Sequence, residues 1–450
     1  MQDELLNPRG LGFGMLRIDS ENADHREALR GALVAGVDLF DLGDFKTEPA
    51  RFAAKSDLLL GLVAEYAAGP IKILVRGNLG AGASFIPPKM DSRVAAKTVW
   101  VYLVADPEFA LPALQWDSKT FYETIATELD HLESRARKHE IAMYGIASAA
   151  LTFAKEDPEA LALEPILFGR DGPAWDTTNS GNLPENRRHF GFLEFPFNLY
   201  ESHAATEENQ LIGAAATTLL DAATRFGIQT AARRPLDAVT AGGLRRLVAY
   251  PDHHRIDLHE TVRRTLETAL AAEAATIGQR NHARSEDGAH AKDLDPLWAH
   301  RLRDQLKFVN DPEQWKEILR RKILPELAAL PRGEASGLTH YHDAMDALLL
   351  AVKLWCEKSA AEKNERLRAK IVEAAPTLGR NRRPEDRDLA LVALRIYRSV
   401  PGLDYILLGM RSPKYVRSFT RAAETEIRLP REELRAALIA AHTELEKGST

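Results

Sequence analysis

Tyr405-Ile406-Leu407-Leu408-Gly409-Met410 is the run whose reading decides the fold. It is short and apolar, and it leads into Ser412–Ala423, which reads as a helix. Runs of this kind suit strands buried on both faces, as in a parallel sheet covered by helices. Seven similar runs precede it: Leu11–Ile18, Val37–Leu42, Ile71–Val75, Val99–Val104, Ala142–Ile146, Phe190–Phe197 and Ile228–Ala232. Amphipathic stretches separate them. Asp24–Ala35 places Leu29, Leu33 and Val34 on one side, Phe121–Lys138 does so with Ile125, Leu129 and Leu132, and Leu211–Phe226 with Leu219, Leu220 and Ala223. Strands alternating with helices of this length argue for βαβ units. An eighth strand followed by a helix favours closure into a barrel. The competing doubly wound open sheet wants Gly-x-Gly-x-x-Gly after its first strand, and the partial match Gly10-Leu-Gly-Phe-Gly14 lies inside that strand. Gly80, Gly82, Pro87 and Pro88 crowd the short interval between the third and fourth strands, so the third crossover helix is expected to be short or lost.

The span 243–387 reads as helix throughout. Asp257-Leu-His-Glu260 resembles a capping box opening a helix to about Ala275. Pro312–Leu327 carries Trp315, Ile318, Leu319 and Ile323 on one face, and Met345, Leu348, Leu349, Val352, Trp355 and Cys356 form a second stripe. Such stripes are the signature of a packed helical core. Ser285–Lys292 reads as a polar loop. The expected organisation is therefore strands one to seven in residues 1–242, a helical insertion in 243–387, and the last barrel unit with a C-terminal helix, Arg431–Glu446, in 388–450. The fold class is α/β: a (β/α)8 TIM barrel with a long all-helical insertion before the eighth strand and a C-terminal helix.

The 450 residues suit one barrel, which takes about 250 residues and tolerates large insertions. A net charge of −6, with acidic and basic residues intermixed, implies no polyanion-binding surface, so no nucleic-acid partner is expected. Cys356 is the single cysteine, which excludes an intrachain disulfide. Met1–Gly14 lacks the basic and apolar regions of a signal peptide, and the apolar stretch near Leu348 is interrupted by Lys353 before it reaches membrane-spanning length. A cytoplasmic protein with no membrane association is expected.

Six segments then carry a resemblance. Val37-Asp-Leu-Phe-Asp-Leu-Gly43, Tyr102-Leu-Val-Ala-Asp-Pro-Glu108, Met143-Tyr-Gly-Ile-Ala-Ser148, Glu194-Phe-Pro-Phe-Asn-Leu-Tyr200, Arg234-Pro-Leu236 and Val400-Pro-Gly-Leu-Asp404 with Leu407–Ser412 resemble, in family order, strand ends of the aldo/keto reductases. The long, insertion-bearing subgroup looks closest. The resemblance implies carbonyl reduction with NADPH, using an Asp, a Tyr, a Lys and a His at the C-terminal mouth. A proton donor must meet the carbonyl oxygen as hydride arrives, and a nearby cation makes that donor acidic.

Carried over residue by residue, the tetrad is degenerate. Asp41 stands at the Asp position, the Tyr falls at Lys46 beside Phe45, the Lys at Arg76 and the His at Ala105. Phe45 and Ala105 have no proton to give, and Arg76 stays charged at every accessible pH. Two readings stand side by side: Lys46 with a depressed pKa serves as donor, or Asp41, Asp44, Lys46 and Arg76 form a salt-bridged rim. The cofactor positions fall at Ala147 and Ser148, Glu194, Asn198, Arg233, Arg234, and Ser418 with Phe419. Ser412, with Pro413 next to it, reads as an N-cap that with Arg411 would suit a phosphate. Three functions follow: an inactive reductase-like binding or assembly subunit, with the insertion as a protein-partner surface; a rearranged NADPH-dependent carbonyl oxidoreductase; and a sensor of a small anionic metabolite. NADP is the cofactor the resemblance implies. His253, His254, His259, His340 and His342 show no metal-ligand spacing and read as surface or capping residues, so no metal site is expected.

Overall fold

The computed structural model describes residues 10–169, 183–251, 253, 255–286 (backbone only over 279–286), 297–330, 338–379, 388–424 and 428–447. Eight parallel strands close into a barrel in sequence order, the last pairing with the first. They are β1 (Leu11–Gly14), β2 (Leu39–Asp44), β3 (Ile71–Asn78), β4 (Thr98–Ala105), β5 (Met143–Ala147), β6 (Phe190–Pro196), β7 (Gln229–Arg233) and β8 (Tyr405–Leu408). Each expected strand is present, and the ends differ. β1 stops at Gly14: Met15 N–H makes the last bond to β2, at the Asp41 carbonyl, and Ile18 N–H then turns back to the Met15 carbonyl. β2 and β3 end later than expected; Asp41 lies within β2 as expected, and Arg76 is brought inside β3.

Alternate residues fill the barrel. Leu39, Leu74, Val101, Leu103, Ala147, Phe192, Ala231, Tyr405 and Leu407 form one buried cluster. The filling is tight enough to dictate a glycine: a Cβ on Gly145 would lie 1.7 Å from the Phe192 carbonyl oxygen, where β5 and β6 slip register. The third crossover is reduced as expected, to a turn at Gly82–Ser84 and a four-residue helix, Ser92–Ala95. Phe85 covers the exposed flank instead, packed on Phe45, Phe52, Trp100 and Tyr102 with ring centroids 5.4–6.5 Å apart.

The expected helix Leu211–Phe226 needs correction. Its first part is a hairpin, Gln210–Ile212 with Ala215–Thr217, and the helix is only Leu219–Arg225. Gly213, at φ 65°, makes the tight turn, and Thr218 caps the helix by accepting from Asp221 N–H.

By its contacts the chain forms two compact units, Met1–Ala238 with Ile371–Thr443, and Val239–Lys370 with Glu444–Thr450. The second is not purely helical. Gly243–Arg246 pairs with Asp237–Thr240 in a two-stranded sheet before the helices begin. Asn364 fixes the chain beyond it by donating to the Arg246 and Val248 carbonyls at 2.9 Å. Asp257 accepts from Glu260 N–H as the capping box requires, opening the helix Leu258–Glu286. Of the expected loop Ser285–Lys292, Ser285 and Glu286 end that helix and the remainder lies outside the described residues, as does His254. The helix from Pro312 widens into a π-turn at Leu319–Ile323 before Leu324–Ala329. Pro325 has no N–H to continue the ladder, and its ring crowds the preceding turn. Trp298, Trp315, Tyr341, Met345, Leu348 and Cys356 belong to this unit's core, and Trp355 lies outside that buried cluster.

Candidate functional site

The C-terminal mouth of the barrel gathers five charged side chains. It starts from an irregularity in β2. The pairing with β3 shifts between Asp41 and Gly43, and Gly43 takes φ 84°. A bulge of this kind leaves a backbone group outside the ladder and re-aims a side chain. The Leu42 carbonyl is met by Lys55 Nζ at 2.7 Å, from the helix Pro49–Tyr66 outside the barrel. Burial pushes the Lys55 ammonium pKa down, against the pull of the nearby Asp41 carboxylate. On the other side, Gly43 N–H donates to Asp41 Oδ1 at 2.9 Å, which fixes the carboxylate toward the interior.

Arg76 of β3 bridges two carboxylates. Its Nη2 donates to Asp41 Oδ2 and lies 3.2 Å from Glu194 Oε1. Burial alone would lower the Arg76 pKa, but the Asp41, Glu194 and Asp106 carboxylates outweigh it and raise it. Glu194, on β6, is 0% exposed, and neither of its oxygens has a hydrogen bond. Burial pushes its pKa up to about 7, helped by Asp41 and Asp106 and opposed by Arg76 and Arg233. Arg233, ending β7, donates from Nη2 to Asp106 Oδ1 at 3.0 Å. Asp106 follows β4 in the left-handed region at φ 42°, held by its N–H to the Ala147 carbonyl at 2.7 Å. Aspartate tolerates that conformation better than most residues, although it carries strain of about 1 kcal/mol or more. The Nε atoms of Arg76 and Arg233 are also buried without a partner. Native interiors rarely leave such groups unsatisfied, and they concentrate where a protein does chemistry or binding.

The sequence candidates divide. Asp41, Arg76, Glu194 and Arg233 come together, and Ala105 ends β4 level with Asn78 and Ala147, offering only a methyl group. Lys46 does not join them. It is exposed, and its Nζ lies 5.9 Å from the centre of the Phe45 ring. Asp44 accepts from the Lys46 and Thr47 backbone N–H groups. The four-residue rim of Asp41, Asp44, Lys46 and Arg76 is therefore corrected to Asp41, Arg76 and Glu194. Ser148 Oγ donates to Glu108 Oε1 at 2.8 Å and accepts from Ala150 N–H, so its hydroxyl is spent on the loop after β5. Burial pushes the Glu108 pKa up. Asn198 is equally occupied: its amide donates to Glu201 and to the Arg234 and Asp237 carbonyls, and its oxygen accepts from Tyr200 and Glu201 N–H. Arg234 is paired with Glu201 at 2.5 Å. Arg411 is exposed, and Ser412 Oγ accepts from Lys414 N–H at 3.3 Å, a loose cap on the helix Pro413–Glu424.

No family model matches this chain, and no curated protein matches it either. The site therefore stands on its own geometry. Among the described residues no group of three or more His, Cys, Asp or Glu side chains is placed to hold a metal ion, and no helix is long and apolar enough to cross a membrane. Two participants escaped the sequence reading. Asp106 was visible only as an Asp before Pro107 at a strand end, and Lys55 sits in an amphipathic helix where a lysine ordinarily faces water.

Proposed function

We propose that this chain is an aldo/keto reductase-like barrel that no longer reduces carbonyls and acts by binding. The observation that carries this reading is the engagement of Arg76. The position that would acidify a hydroxyl donor is held by a guanidinium bridging Asp41 and Glu194. No hydroxyl stands beside it among the carried-over positions: Lys46 is exposed in its turn, and Ala105 has no proton to give. A permanently charged guanidinium does not itself donate a proton in catalysis, and what it acts on here is the Glu194 carboxyl rather than a hydroxyl donor.

The residues do not fit NADPH well. Of the pair that would meet its nicotinamide amide, Ala147 has no polar side chain and Ser148 is committed to protein partners, as is the further candidate Asn198. Glu194 replaces a neutral amide with a carboxyl group, and Arg233 stands where a stacking ring would be. Fold alone does not settle function, because function belongs to the site. Fluorescence titration with NADPH, followed by assay of NADPH consumption with a generic aldehyde, tests the reading. We expect no saturable binding in the micromolar range and no aldehyde-dependent turnover. Turnover abolished by Asp41→Asn or Lys46→Met would overturn it in favour of a rearranged oxidoreductase.

A further inference from the structure

The five mouth charges do not balance, and the imbalance has a direction. Asp41, Asp106 and Glu194 face Arg76 and Arg233, so with every group ionised these five side chains carry one surplus negative charge; Lys55, bonded to the Leu42 carbonyl from outside the barrel, adds its positive charge beside Asp41. The surplus sits on Glu194, the one carboxylate of the three with no hydrogen bond at all. The side chains that reach solvent are the cations and Asp106. Arg76 is 20% and Arg233 18% exposed at the side chain, against 0% for Glu194. An incoming molecule therefore meets the two guanidinium groups together with the Asp106 carboxylate that Arg233 pairs, and the unsatisfied acid behind them.

We propose that the barrel mouth binds a small monocarboxylate between Arg76 and Arg233, with Glu194 taking up one proton as the ligand enters. A planar guanidinium matches a carboxylate in shape and donor spacing, and the buried, unpartnered Nε atoms mark both side chains as short of acceptors. One added negative charge is accommodated by one proton on Glu194. The protonated carboxyl then becomes a donor within a group of carboxylates, the usual outcome when like charges are forced together. A dianion would need more protons than the cluster has unpaired acids to hold. The groups facing Glu194 are Arg76 from β3, Asp41 from β2, Arg233 from β7 and Asp106 after β4, while the neighbouring Ser148–Glu108 pair bonds internally. The ordinary pKa of Glu194 is already displaced to about 7, so the proton exchanges near neutrality.

This inference rests on the binding reading above, since it needs Arg76 free of a catalytic duty. Calorimetric titration with sodium propionate, in two buffers of different ionisation enthalpy at pH 6 and pH 8, tests it. We expect propionate to bind, with close to one proton taken up per ligand at pH 8 and much less at pH 6. Affinity should fall about tenfold per pH unit above neutrality. Glu194→Gln should keep binding and lose both the proton uptake and the pH dependence, whereas Arg233→Met should lose binding. Should Arg233→Met fail to fold, the Glu194→Gln arm decides alone. Propionate binding without proton uptake, preference for propylammonium, tighter binding of inorganic phosphate at pH 8, or no saturable propionate binding at pH 6 would each overturn the proposal. Absence of propionate binding together with absence of aldehyde turnover removes only this inference; turnover removes the reading beneath it.

Discussion

The two ends of the barrel treat polar groups in opposite ways. At the N-terminal end Lys72 Nζ donates to Tyr405 Oη at 2.7 Å. There too Asp404 accepts from Thr230 N–H at 2.8 Å while its own N–H donates to Thr230 Oγ1. No atom of those four side chains is buried without a partner, although Gln229 Oε1, Arg187 Nε and Trp100 Nε1 toward that end are. At the C-terminal end Glu194, Arg76 and Arg233 all keep buried atoms unsatisfied. An unsatisfied buried polar group costs about 1–3 kcal/mol, and more when charged. The floor thus reads as a polar arrangement completed by the fold, the mouth as one left incomplete. The C-terminal face is also where barrels of this class keep their active sites.

The comparison breaks most visibly at Arg76. Arg76→Leu leaves Asp41 and Glu194 buried without their cation, and we expect a loss of about 3–5 kcal/mol at pH 7.5 by denaturant unfolding. The loss should shrink at pH 5, where Glu194 is protonated; an equal loss at both values would mean that the two acids are not the reason. The next effect is the pH profile of the wild type. The folded Glu194 holds its proton to about pH 7, against the ordinary 4.5, so the unfolded chain releases it first. The stability that Glu194 contributes should therefore be full below about pH 4.5 and fall as pH rises toward 7, by about 2–3 kcal/mol. Burial raises Glu108 and Asp404 as well, in the same direction, whereas Glu133, lowered against burial by its bonds to His189, Arg137 and Tyr144, acts oppositely. The diagnostic quantity is the stability of wild type minus that of Glu194→Gln, which should fall as pH rises from about 4.5 toward 7; a difference constant with pH would mean that Glu194 is not the titrating group.

At the floor the effects are smaller. Asp404→Ala removes the acceptor for Thr230 and should cost about 2 kcal/mol with no change in ligand binding at the mouth, read by thermal unfolding and by the propionate titration. A change in that titration would join the two ends into one system. The smallest effect belongs to Lys46→Ala. An exposed residue of this kind should shift stability by no more than about 0.5 kcal/mol and leave the mouth unaltered.

The barrel was legible because each strand is a short apolar run between amphipathic stretches, a pattern that Ile71–Val75 and Tyr405–Met410 keep in isolation. Leu211–Phe226 misled because small residues such as Ala214–Ala216 fit either period, and Gly213 alone marked the turn. The trio Asp41, Arg76 and Glu194 could be listed from sequence, since strand ends place residues at one mouth. Which of them would pair could not. That depends on a bulge at Gly43 and on the exclusion of Lys46, whose turn is set by backbone bonds to Asp44. Asp106 was invisible as a partner because its position depends on a left-handed backbone that no periodicity records.

The shortened third crossover helix has a consequence of its own. At the flank of β3 and β4 the reduced crossover leaves Phe85 at the centre of an aromatic cluster, beside Tyr102, whose hydroxyl has no partner. Water admitted there would find a waiting phenol and a short route into the wall. The cluster in effect bars a door, and trimming Phe85 is the change most apt to let solvent through it.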